Sequence, residues 1–231
     1  MEALPIPIPS IVGSKLFCMY IQNLFHCLLL TLPIGSIDGF SLSASPMFYL
    51  QYVIYYLPFI LAFISISACP THCTLSFEGK NFWILKSLPI NGADLINGKI
   101  MSYIKLIIPF ILVHVIIVFL NIMSFSELNF IPVLVLIPII YVFFSAVVGV
   151  LLDLKFPMFD WTSEEAVVKQ KITTPISMVV NMLSVGVPVG LLIFFPSHRW
   201  IILISSTVLL VIIAILLHKI LIIKVNNLLA E

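Results

Sequence analysis

Residues 77–99, FEGKNFWILKSLPINGADLINGK, form a charged, mixed island between long apolar segments. The chain has 231 residues and only 11 basic and 10 acidic side chains. Glu78, Lys80, Lys86, Asp94 and Lys99 all fall in this window, and Lys105 follows just after. A chain that gathers its few charges between apolar runs points to membrane spans joined by polar loops. Such a loop is placed to meet something outside the bilayer.

Composition supports that reading. The chain is 61% hydrophobic and 9% charged, with mean hydropathy +1.22. A soluble domain is nearer half apolar and a quarter charged. The net charge of +1 supplies no field to attract nucleic acid, and no basic patch with interleaved aromatics is present, so nucleic acid is not an expected partner. The lipid bilayer is. The opening MEALPIPIPSIVGSK has no basic stretch followed by a short apolar run and a small-residue cleavage site, so it does not read as a cleavable signal. Pro5, Pro7 and Pro9 read as an extended lead-in.

A helix needs roughly 20 apolar residues to cross about 30 Å of hydrocarbon. Six segments meet or approach that length: 16–34, 47–68, 101–123, 130–152, 176–195 and 200–223. The first is the weakest, because it carries Gln22, Asn23 and His26. Barrel strands would alternate apolar and polar residues, and these segments do not. The expected fold is therefore all-α: one polytopic transmembrane bundle of about six spans, with cytoplasmic islands at 69–100 and 153–175. The loops after the first, third and fifth spans contain one basic residue, Arg199. Lys15, Lys80, Lys86, Lys99, Lys105, Lys155, Lys169, Lys171, Lys219 and Lys224 all fall on the other side. Positive charge marks the cytoplasmic side, which puts both termini in the cytoplasm.

The spacing predicts a short helix over residues 78–88. Phe82, Leu85 and Leu88 share one face, and Lys80, Trp83 and Ser87 share another. Pro89 stops it, a turn follows at 90–92, and a new helix begins near Gly92 with Asp94 in its first turn. Two uses fit this pattern: a helix lying at headgroup level, or a docking helix for a cytoplasmic partner. In the second island, Phe156-Pro157 is extended. Thr162 and Glu165 make a capping box, so a helix starts there and leads through Val167 and Val168 toward the fifth span. Glu164 and Glu165 do not pair as catalytic carboxylates, because neighbours on a helix face about 100° apart.

Cys69, His72 and Cys73 include metal-ligand types, but the spacing is not that of a zinc finger and no second pair follows. No metal or cofactor is expected. There is no phosphate loop, no H-E-x-x-H and no G-x-S-x-G, and no Asp or Glu sits in the middle of a span. His26, His114 and His218 are the ionisable groups inside spans, and packing is the ordinary role of a lone intramembrane histidine. Asn23, Gln51, Asn121 and Asn181 are candidates for bonds between helices, and Gly186-x-x-x-Gly190 for close helix approach.

The stretches FEGKNFWILKSLPINGADLINGK and LDLKFPMFDWTSEEAVVKQ resemble the permease subunits of bacterial type-2 ABC exporters, in the C-terminal half of that family. The resemblance covers about residues 16–224. It implies a non-enzymatic transport subunit in the bacterial cell membrane, driven by a separate ABC ATPase. It also implies a second permease half, as a homo- or heterodimer. Glu78, Gly79, Lys80, Asn81, Phe82, Trp83, Leu85, Lys86 and Pro89 would then dock the ATPase, and Asp160, Trp161, Thr162, Glu165 and Lys169 would belong to the second cytoplasmic loop. Two features depart from the family: the chain is about half the usual length, and the loop at 196–199 leaves little room for a re-entrant segment. Two other readings stand beside it. One is a membrane accessory or immunity protein. The other is a CaaX-type intramembrane protease, suggested by E-E-x-x-x-K at Glu164 and F-x-x-x-H at Phe194; there Glu164 and His198 lie at opposite ends of one span.

Overall fold

The computed structural model describes residues 54–67, 71–81, 91–121, 130–160, 167 and 171–230. Among them are five α-helices: α1 (Leu57–Ser67), α2 (Gly92–Asn121), α3 (Ile131–Lys155), α4 (Thr173–Phe194) and α5 (Arg199–Ala230). No strand occurs among these residues. Five stretches are long and apolar enough to cross a membrane, the first of them running Leu57–Gly79. The chain is thus a polytopic helical membrane bundle. The expected first span, 16–34, lies outside the described residues.

The centre of the bundle is α3. Leu134, Tyr141, Ala146, Val147 and Val150 on it are fully buried, and α1, α2 and α5 pack around it. Polar groups close the gaps between helices. The Tyr103 hydroxyl on α2 donates to the Ser65 carbonyl on α1 at 3.0 Å, and the Tyr141 hydroxyl donates to the Ser184 carbonyl on α4 at 3.2 Å. Pro109, Pro138 and Pro188 sit inside spanning helices. A bilayer tolerates them because neighbouring groups re-satisfy the freed carbonyls.

Two helices outrun the expected spans. α2 has 30 residues and α5 has 32. At 1.5 Å per residue they are about 45 Å and 48 Å long, well over a ~30 Å core. Their surplus lies at the lysine-rich end, where a Cβ on Gly92 would meet Asn226 Oδ1 at 2.5 Å. The expectation of a helix starting near Gly92 holds, and it runs unbroken into the span. α3 ends where Phe156 leaves helical geometry (φ −129°, ψ 65°), as the following Pro157 requires.

Two expectations are corrected. A helix does not run through residues 78–81: Gly79 has φ 53° and ψ −133°, a break inside the 3₁₀ stretch Ser76–Asn81. That conformation suits glycine alone, because a Cβ would collide with the backbone. Gly186 and Gly190 face open space, so they mediate no close approach among the described residues. The capping-box helix is described only at Val167, which is helical; Lys171 lies between it and α4, where Thr174 N–H closes a turn on the Lys171 carbonyl, so this expectation stands where it can be seen.

Candidate functional site

The first island is not a free loop. Its start, residues 71–76, is folded into the lysine-rich end of the bundle, with Thr71, His72, Cys73, Leu75 and Ser76 all buried. Gly149 on α3 makes room for it. A Cβ there would lie 2.2 Å from Thr71 Oγ1 and 2.9 Å from the His72 nitrogen. The turn Thr71–Cys73 therefore rests directly on the α3 backbone.

Below this turn lies a buried ion pair. Asp153 of α3 is 0% exposed and Lys171, two residues before α4, is 3% exposed; their side chains are bonded to each other. Asp153 Oδ2 accepts the backbone N–H groups of Leu75 at 2.6 Å and Ser76 at 3.2 Å. Oδ1 accepts the Ser76 hydroxyl at 2.6 Å as well as Lys171. The Lys171 ammonium donates also to Ser76 Oγ at 2.5 Å and to the His72 carbonyl at 3.3 Å. That carbonyl takes a second bond from Thr173 Oγ1 at 3.1 Å, and Ser76 Oγ accepts Met158 N–H at 3.0 Å.

Each group is used to capacity. The ammonium has three protons and three acceptors; the carboxylate accepts four bonds; the serine hydroxyl donates once and accepts twice. A buried charge is tolerable only when satisfied in this way. The result joins three pieces distant in sequence: the 71–76 segment, the end of α3 with the residues 156–158 that follow it, and the start of α4. Beside it, Lys99 on α2 bonds Glu78 at 2.7 Å and the Thr74 carbonyl at 3.0 Å, tying a fourth piece to the same stretch.

Glu78 is thus bound to α2 of its own chain, and Gly79 is the backbone break. Of Lys80 and Asn81 only the backbone is described; Phe82, Trp83, Leu85, Lys86 and Pro89 lie outside the described residues. Asp160 is exposed, and Trp161, Thr162, Glu165 and Lys169 lie outside as well. Among the other singled-out residues, His114 Nδ1 lies 2.7 Å from the Phe110 carbonyl of its own helix, and His218 Nε2 lies 2.8 Å from Asn97 Oδ1. Asn181 is buried, but its Oδ1 finds no partner among the described residues. Cys73 Sγ contacts the Val167 carbonyl at 3.5 Å; Cys69 lies outside the described residues. His198 is at the Arg199 end, the length of α4 away from Lys171.

Sequence reasoning passed over Asp153 and Lys171, treating both as loop charges. One signal was available. An acidic residue in the last turn of a helix opposes the negative end of the helix dipole, so it needs a specific partner.

The fold and this joint define a multi-span helical membrane protein whose parts meet at the lysine-rich end. The family model described as a membrane protein of 12 TMs matches residues 15–219, and the chain belongs to that family. No curated protein and no solved structure matches it.

Proposed function

We propose that the chain is the membrane-spanning half of an ABC exporter of the bacterial cytoplasmic membrane. A separate ATPase subunit docks on the 78–89 segment and supplies the energy; this chain hydrolyses nothing itself. One observation carries the reading: the buried Asp153–Lys171 pair clamps the residues immediately before that segment to both α3 and α4. A push on residues 78–89 is thereby delivered to two spans rather than absorbed in a loop. The resemblance of 77–99 and of the second island to exporter permeases agrees with it. A family of twelve spans agrees with a second half of about six spans completing the pore.

The test is to purify the chain together with the products of its neighbouring genes and identify any ABC ATPase that comes with it. Interface aromatics in the segment carry the affinity, and a hot-spot truncation typically costs about 2 kcal/mol or more. Trp83→Ala should weaken association about thirty-fold at that cost. Lys80→Glu should act through charge and be salt-sensitive. Phe82→Asp is unsuitable, because it would also detach an interfacial helix. If Trp83→Ala and Lys80→Glu both leave co-purification and stimulated ATP hydrolysis unchanged, the segment is not a docking site.

A further inference from the structure

A groove of about 430 Å³ runs between α3, α4 and α5. Tyr141 forms part of its floor, Val180 to Leu191 one wall and Ser205 to Ile213 the other. Four hydroxyls line it, and all four already donate: Tyr141 to the Ser184 carbonyl, Ser184 to Asn181, Ser205 to Ile202 and Ser206 to Leu203. None of them has a proton to spare for an occupant, and the rest of the lining is apolar. Leu183, Val187 and Leu209 on its rims are 58–60% exposed, so it opens sideways toward hydrocarbon.

Its length is informative. From Val180 to Leu191 the α4 wall rises about 16 Å. That is close to one leaflet, half of a ~30 Å core. A partner span would need a groove along the whole core. This one covers residues 180–191 of the 173–194 helix and stops about 10 Å short of its lysine-rich end.

A second cavity of about 370 Å³ lies at the Arg199 end, lined by Tyr55 and residues 196–201. On α5, Ile201 of this cavity stands one turn before Ser205 of the groove, and Leu209 and Ile213 follow at intervals of four. His198 and Arg199 bring basic character to this second cavity. The Arg199 guanidinium lies 5.3 Å over the Tyr55 ring, and Trp200 packs edge-on to the same ring at 5.5 Å. Arg199 is the single basic residue expected on the outer side. Arginine suits phosphate, and tryptophan sits at headgroup height.

We propose that the groove and the Arg199 cavity together form a binding site for an outer-leaflet anionic phospholipid. The acyl chain lies in the α3–α4–α5 groove and the phosphate is held beside Arg199 and His198. The inference is independent of the exporter reading and rests on the orientation given by the lysines.

The test uses the full chain in vesicles, with Trp83→Phe and Trp161→Phe so that Trp200 alone reports. Phosphatidylglycerol or phosphatidylcholine, brominated near the headgroup end of the chains, is mixed in and quenching is titrated. One basic residue near a surface is worth about five-fold in affinity for an anionic lipid, and that preference for phosphatidylglycerol is expected. Arg199→Gln should abolish it, and Arg199→Lys, which keeps the charge, should retain most of it. Ser205→Phe fills the groove and should lower quenching by both lipids. Equal quenching by the two lipids, unchanged in Arg199→Gln, would leave only non-selective annular lipid and overturn the site. Absence of quenching by either would show protein covering this face and overturn it too.

Discussion

Asp153 and Lys171 are where single side chains matter most. Neither charge has water to fall back on. Removing one partner leaves the other buried and unpaired, which costs about 3–5 kcal/mol. Lys171→Met is expected to destabilise the detergent-solubilised protein by that amount, read as a fall in the thermal unfolding midpoint. Asp153→Leu should be worse, because it also orphans the Leu75 and Ser76 amides along with the ammonium. The double variant Asp153→Leu/Lys171→Met should recover part of the loss of Asp153→Leu, since the stranded cation is gone and only the amides remain. Additive losses would mean that the two groups do not act as a pair. Nothing in the local sequence marks the two as partners. They stand 18 residues apart in a segment that reads as a polar loop, and their meeting depends on how α3 and α4 pack.

Among the elements, the contact of the Thr71–Cys73 turn with α3 is the most demanding. Gly149 is the reason the turn can lie so low. Gly149→Ala forces the turn outward, and overpacking of this kind typically costs about 1–3 kcal/mol. The turn carries the Leu75 and Ser76 amides, so lifting it also loosens their bonds to Asp153. The expected result is faster hydrogen exchange at residues 71–76, with α4 and α5 little changed. Thr71→Ala in the same chain should restore part of the protection, because it removes the atom at 2.2 Å. Protection unaffected by Gly149→Ala would show that the turn does not rest on α3. The long helices follow more directly from sequence. An apolar stretch beginning near Met101 is extended backward to Gly92, past the poor helix formers Asn97 and Gly98, with Asp94 at the dipole's positive end. The break at Gly79 was not foreseen, because the apolar spacing of residues 82–88 suggested a helix and gave no sign of the backbone turn before it.

For the whole molecule, the ten-to-one division of basic residues predicts an orientation with the lysine-rich end in the cytoplasm. A cysteine at Asn91 should resist an impermeant reagent added outside intact cells, and one at Ser43 should react. The reverse labelling would invert the molecule, and with it the docking segment and the lipid site. In the structure, Lys99, Lys155, Lys171 and Lys224 gather at one end while Arg199 stands at the other.

The class of fold was determined by sequence alone. Hydrocarbon leaves no water to satisfy backbone amides, so long apolar segments without alternation become helices whatever their neighbours. The positions of the described spans and the gathering of the lysines at one end follow from composition read along the chain, whereas the full lengths of α2 and α5 do not. The buried joint was decided only by the tertiary structure. Whether Asp153 is a solvated loop charge or the anchor of four bonds depends on which surfaces approach it, and local propensity carries no record of that. The same holds for the proposed lipid groove. It is bounded by side chains of α3, α4 and α5 together, an arrangement that no single segment encodes.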